Sequence, residues 1–157
     1  FTDESVTITL SAGKNTKFVS GISTILDSSE SDSESLKLNL GLPDDFNYIT
    51  DNPIEALEAQ KINAKLINIL TIGEALLEAA GVEDNTGDEL LVVQITESIQ
   101  SGKSISDSTN IEEIIKNSSK DTLAEEDVGL VVNSLSATLA SANQIIDDSI
   151  DVKEIGC

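Results

Sequence analysis

Histidine, methionine, tryptophan and arginine are absent from this chain, and cysteine occurs once, at the last position. Without histidine there is no Ser–His–Asp or Cys–His arrangement and no histidine-based zinc site. One cysteine excludes an internal disulfide and any Cys-only zinc or iron–sulfur site within a single chain. Cys157 reads as the end of a fragment, a free thiol or an interchain link. With no methionine to start translation, the sequence reads as a processed product or an excised piece. No signal peptide is visible, and no apolar run is long enough to cross a bilayer. Aromatic residues are limited to Phe1, Phe18, Phe46 and Tyr48. The core must therefore be built from Ile, Leu, Val and Ala, which favours helices packed on helices over a β-sandwich.

Negative charge is what the chain has in excess. Asp and Glu number 29 against nine lysines, for a formal charge of -20. Such a field repels nucleic acid and anionic membrane surfaces. It is compatible with cation binding, with salty surroundings or with plain solubility. Hydrophobic residues make up 39%, too many for a disordered acidic chain. A length of 157 residues suits one domain with a real core.

The longest uninterrupted pattern runs from Asn52 to Gly81 and predicts a helix. Asn52 suits the N-cap, Pro53 the first helical position and Glu55 the third position of a capping box. Gly81 suits the left-handed residue that closes a helix. Ile62, Leu66, Ile69, Gly73, Leu76 and Ala80 recur at steps of four and three, which keeps them on one face; Ile67, Leu70 and Leu77 widen that stripe. At 1.5 Å per residue the helix would be roughly 40 Å long. Gly73 reads either as a place where another backbone comes close or as a tolerated weak point costing about 1 kcal/mol.

Ahead of it, Val6, Ile8 and Leu10 alternate with threonines, a half-buried strand pattern. A strand needs a partner. The candidates are Lys17–Val19, an adjacent domain or another subunit. Ser20 to Leu26 predicts a short helix, and residues 27–35 (DSSESDSES) a solvated loop or helix start. Leu36, Leu38, Leu40 and Leu42 alternate as in a strand, but the Leu-rich run before Gly41-Leu42-Pro43 fits a helix ending at Gly41 about as well, and a helix is expected. Asp44 to Asp51 is an irregular connector expected to tuck Phe46 and Tyr48 onto the core. Beyond Gly81, Thr86 with Glu89 predicts a cap for a helix carrying Leu91, Ile95 and Ile99 to Gly102. Asn110 with Glu113 predicts a short helix through Ile111, Ile114 and Ile115. Thr122 with Glu125 predicts a last long helix with a seam at Val128, Val132, Leu135, Leu139, Ala142 and Ile146. The expected architecture is mainly α: an antiparallel helical bundle over residues 20–147. A short N-terminal strand segment or linker (1–19) precedes it, and an exit segment (148–157) that could begin a strand follows.

Candidate chemistry is sparse. Gly102-Lys103-Ser104 lacks the earlier glycine of a phosphate-binding loop. The carboxylate pairs Glu112/Glu113, Glu125/Glu126 and Asp147/Asp148 are expected mostly near helix starts, where they offset the helix dipole. The loop from Asp27 fails the EF-hand pattern, lacking the central glycine and carrying Leu38 at the twelfth position. Asp44, Asp45 and Asp51 form a second loose acidic cluster, so calcium is possible but has no assigned ligands. No catalytic residue and no cofactor are expected.

Three stretches resemble a helical module of very large secreted and surface proteins of bacteria, including RTX-type and cadherin-repeat adhesins. They are ITLSAGKNTKFVSGISTIL (Ile8–Leu26), LGLPDDFNYITDNPIEALEAQK (Leu40–Lys61) and SANQIID (Ser141–Asp147). The chain departs from that module in having Gly21 where a proline is usual and Asn52 inserted before Pro53. The resemblance implies an extracellular or cell-surface, non-catalytic structural module: a spacer, cap or assembly unit. Its partners would be neighbouring domains or identical subunits, with no nucleic acid and no membrane insertion. The alternatives are a filament or surface-layer subunit that uses the N-terminal strand, and a calcium-binding adhesion module.

Overall fold

The computed structural model describes residues 10–29, 33–79, 81, 84–119 and 126–149. Among them are six α-helices: α1 (Gly21–Asp27), α2 (Ser33–Leu40), α3 (Leu57–Ala79), α4 (Asp84–Gln100), α5 (Ser108–Ser118) and α6 (Glu126–Asp148). No strand occurs among the described residues. The expected strand falls on residues outside the description except for Leu10, which is half-buried against the core. Lys17–Val19 is not a strand; the Lys17 N–H bonds to the Ile49 carbonyl of the connector instead. The exit stretch from Ile150 and the expected cap at Thr122 also lie outside the described residues.

The centre of the bundle is α3, which packs against α1, α4, α5 and α6. It is shorter than the Asn52–Gly81 pattern implies. Pro53–Glu55 form a separate 3-10 turn, with Asn52 capping the Ile54 N–H at 3.3 Å. Ala56 is extended (φ -121, ψ 120), and its carbonyl accepts the first bond of α3, from Gln60 N–H at 2.8 Å. The chain thus bends at Ala56, which burial of Pro53 accompanies, and α3 spans roughly 34 Å. Gly81 closes it in the left-handed region (φ 89), as the sequence predicts.

The predicted face of α3 is the buried face. Ile62, Leu66, Ile69, Leu70, Gly73 and Leu77 are all enclosed, while Ile67 and Leu76 are only half-buried and Ala80 lies outside the description. Gly73 receives a side chain, not a backbone: a Cβ there would lie 2.8 Å from Cδ2 of Leu91, which is itself fully buried in α4. Gly21 marks a second close approach, at the start of α1. A Cβ on it would meet Leu66 Cβ at 3.1 Å and Asn63 Oδ1 at 3.3 Å.

Leu91, Ile95 and Ile99 of α4 are buried as expected, and Phe46 joins the core with Tyr48 packed beside it. Helix α2 ends at Gly41 (φ 76), whose N–H reaches Leu38 O while Leu42 N–H reaches Lys37 O. Two helix starts fall elsewhere than predicted. Helix α4 starts at Asp84, two residues before Thr86, in a run where Asp84, Asn85 and Thr86 are all cap-type residues. Asp107, not Asn110, caps α5, accepting the Asn110 N–H at 2.9 Å.

The seam of α6 is rotated from the expected one. Val132 and Leu139 are buried, but Leu135, Ala142 and Ile146 are only half-buried. The buried line runs through Ser136, Ala140 and Asn143 instead. The Val128 side chain lies outside the description. Helix α6 runs antiparallel to α3, since Lys65 meets Asp147 and Asn68 meets Asn143.

Gly73→Ala gains about 1 kcal/mol of helix propensity but forces a buried leucine aside, so it is expected to destabilise. In chemical denaturation the double variant Gly73→Ala with Leu91→Ala should lose less than the sum of the two single losses. Losses that add within about 0.5 kcal/mol would contradict the contact.

Candidate functional site

A set of half-buried polar interactions lies on the first half of α3. Lys61, Lys65 and Asn68 stand at steps of four and three, on the face toward α6. Lys61 Nζ donates to the Asp147 backbone carbonyl at 2.9 Å, and Lys65 Nζ to Asp147 Oδ1 at 2.5 Å. Ser106 Oγ donates to the other carboxylate oxygen at 2.6 Å. Further along α3, Asn68 Nδ2 donates to Asn143 Oδ1 at 3.1 Å, and Asn143 Nδ2 donates to the Ile105 carbonyl at 2.8 Å.

The electrostatics explain the arrangement. The C-terminal end of a helix carries unpaired carbonyls and a partial negative charge. Helix α6 has no basic residue in its last turn, and its last two residues are Asp147 and Asp148. Because α3 is antiparallel, its lysines arrive where α6 needs them. Partial burial alone would raise the pKa of Asp147. The hydrogen bonds from Lys65 and Ser106 and the charges of Lys65 and Lys61 outweigh that and hold the carboxyl below its usual value.

About half a turn around α3 from this line sits Asn63. Its Oδ1 accepts the Gly21 N–H at 2.9 Å, fixing the start of α1. Helix α1 in turn holds the preceding chain. Thr24 Oγ1 accepts the Ser11 N–H at 2.9 Å, and Ser23 Oγ donates to the Ser11 carbonyl at 2.7 Å. The Gly13 N–H bonds to the Asp27 carboxylate. A third set fixes the 101–107 loop: Asn110 accepts from Ser98 Oγ and donates to the Ser104 carbonyl, both at 2.7 Å.

The residues singled out in sequence fall in separate places. Asp45 and Asp51 line a cleft of ≈ 310 Å³ with Glu55, Phe18, Pro43, Phe46 and Ala56; Asp44 is not among its walls. Asp51 turns onto its own loop, accepting from Asn47 N–H and Thr50 Oγ1 at 2.9 Å each. The Asn47 N–H is the main cause of its lowered pKa, helped by Thr50 and Lys17. Asp27 lies beside Tyr48, whose pKa is raised by burial and by the charge and hydrogen bond of Asp27. No group of three or more metal-ligating side chains converges among the described residues.

Gly102 closes α4 (φ 73), and Lys103 pairs with Glu113 at 2.6 Å. Only one of the three carboxylate pairs sits at a helix start as expected, Glu125/Glu126, with Glu126 the first residue of α6. Glu112 and Glu113 lie past the first turn of α5, paired with Lys116 and Lys103, and Asp147/Asp148 end α6. The side chains of Glu125 and Glu126 lie outside the description. No described helix is long and apolar enough to cross a membrane.

Asn63, Asn143 and the lysine pair of α3 are polar groups that pattern reading passes over. The sequence does carry one signal: a final helix that ends Asp-Asp needs a cation from elsewhere, and Lys61 and Lys65 share a face. Comparison of the chain with protein-family models, with curated proteins and with solved structures found no match. The residues and their geometry therefore carry the functional reading.

A carboxyl with a depressed folded pKa adds stability above its unfolded pKa, about 3.9, and loses it as pH falls through the folded value. Asp147→Asn should cost about 1.5–3 kcal/mol at pH 7, the range for hydrogen bonds to charged groups. Denaturation midpoints of the two proteins should converge as the pH drops below about 4. Curves that stay parallel down to acid unfolding would contradict this role of Asp147.

Proposed function

We propose that this chain is a non-catalytic structural module of a bacterial extracellular or surface protein, acting as a spacer, cap or assembly unit between neighbours. The observation that carries the reading is how the buried and half-buried polar side chains are used. Asn63, Asn110, Asn143 and the Lys61–Lys65–Asp147 set tie helices and loops to one another. The resemblance of Leu40–Lys61 to a module of bacterial surface proteins supports the same reading.

The charge of -20 bears on the filament alternative. Copies of such a chain repel one another at low ionic strength, so assembly would need salt or a polycation. Light scattering is expected to give a monomer both with calcium and with chelator. Large assemblies that survive chelation would replace the spacer reading with the filament one, and assemblies that vanish in chelator would replace it with calcium-dependent adhesion. A gene that encodes this bundle alone, with its product kept in the cytoplasm, would overturn the module reading outright.

A further inference from the structure

Apolar and acidic side chains meet in the cleft of ≈ 310 Å³ beside the connector. Phe18, Pro43, Phe46 and Ala56 supply its apolar wall. Phe46 is buried in the core and fixes that wall, while Phe18 is 37% exposed. The Lys17 N–H bonds to the Ile49 carbonyl at 2.8 Å, which brings Phe18 to the connector. Asp45, Asp51 and Glu55 supply three carboxylates, and no basic side chain lines the cleft among the described residues.

These groups differ in what they already hold. Asp51 is engaged by its own loop and offset by the charge of Lys17. Asp45 and Glu55 are exposed and belong to none of the ion pairs formed among the described residues. The apolar surface is equally open. Val19 and Ile54, which adjoin cleft residues in the chain, are 58% and 56% exposed.

Few ligands satisfy both walls. A metal ion has no use for the apolar one, and no three ligating side chains converge here. An anion is repelled, and a wholly apolar ligand would cover carboxylates without pairing them. A lysine or arginine side chain fits both: its methylene stem lies on apolar surface while its charged head stays with the carboxylates. The exposed ring of Phe18 adds a face for the cation. At ≈ 310 Å³ the cleft is near the small end of ligand sites, which begin at about 300 Å³, and it suits one long side chain better than a cofactor.

We propose that this cleft is a docking site for a basic side chain flanked by apolar residues, carried on a segment of a partner protein. Charge complementarity selects the partner. A second copy of this chain carries the same charge of -20 and is repelled, whereas a basic segment is drawn in. Only the partner's place as a neighbour rests on the structural-module reading; a free-standing chain that binds the probe below would lose that reading and keep the cleft.

The test is an NMR titration of the whole chain with the peptide acetyl-Leu-Lys-Leu-amide. Amide shifts are expected to cluster at Phe18, Asp45 and Glu55. The same peptide with norleucine for lysine keeps the stem and drops the charge, and should bind about tenfold more weakly. Asp45→Asn and Glu55→Gln should each weaken binding about two- to fivefold, and Phe18→Ala by about as much. Asp44→Asn removes the same charge at a residue outside the cleft wall and should leave the affinity nearly unchanged. All four positions are exposed, so the fold is expected to hold. Equal losses for Asp44→Asn and Asp45→Asn would mean that the lysine senses only the overall charge, and would overturn the proposal. So would a norleucine peptide that binds as tightly, or a Phe18→Ala chain that binds as the parent does. Displacement of the peptide by calcium, at an ionic strength where sodium leaves it bound, would make the cleft a metal site instead and overturn it equally.

Discussion

Burial of one stripe of α3 is the constraint on which the rest depends. Ile62, Leu66, Ile69, Leu70 and Leu77 are all essentially removed from water, and each contributes about 1.5–3 kcal/mol by that removal. Turning α3 by one residue would bring part of this stripe to solvent and draw Lys61 or Lys65 toward the core. The stripe thus sets the rotation of the helix. Once the rotation is set, Lys61, Lys65 and Asn68 must face α6 and Asn63 must face α1. The polar ties follow from the apolar packing, and they then choose which partner segments fit.

Those ties account for polar residues inside a chain that carries so much charge outside. A buried amide costs free energy unless it is paired. Asn143 meets that demand on both sides, with Asn68 and with the Ile105 carbonyl. Asn110 does so with Ser98 and Ser104. Each pairing is specific in register: a shift of α6 by one turn would leave Asn143, Asp147 and Lys65 without these partners. Two of the chain's nine lysines serve the acidic end of α6, and the carboxylates left on the surface give the net charge.

The helices are largely legible in the sequence because apolar spacing reports directly on burial. The stripe of α3, the Leu91–Ile95–Ile99 line and the Phe46 anchor all follow from it. Polar burial escapes it. Hydrophobicity ranks Leu135, Ala142 and Ile146 above Ser136 and Asn143 and so misplaces the seam of α6, yet Asn143 is the more buried since its amide is paired. Caps are ambiguous where several cap-type residues adjoin: in the run from Asp107 to Asn110, either end could begin a helix, and the Asn110 amide is needed elsewhere. The bend at Ala56 has no sequence mark apart from Pro53, which also fits a continuous helix. The lysine–aspartate junction joins residues 82 apart in the chain. Such pairings follow from tertiary register, which local patterns do not encode.

Native-state hydrogen exchange of the α3 amides tests the central claim most directly. If α3 is the element that everything else packs on and is tied to, its amides from about Ile62 to Leu70 exchange only through global unfolding. Their opening free energy should then equal the stability measured by denaturant. Were α4 or α5 to stay protected while this part of α3 opened at a lower free energy, the bundle would be organised around a different element, and the central place of α3 would be contradicted.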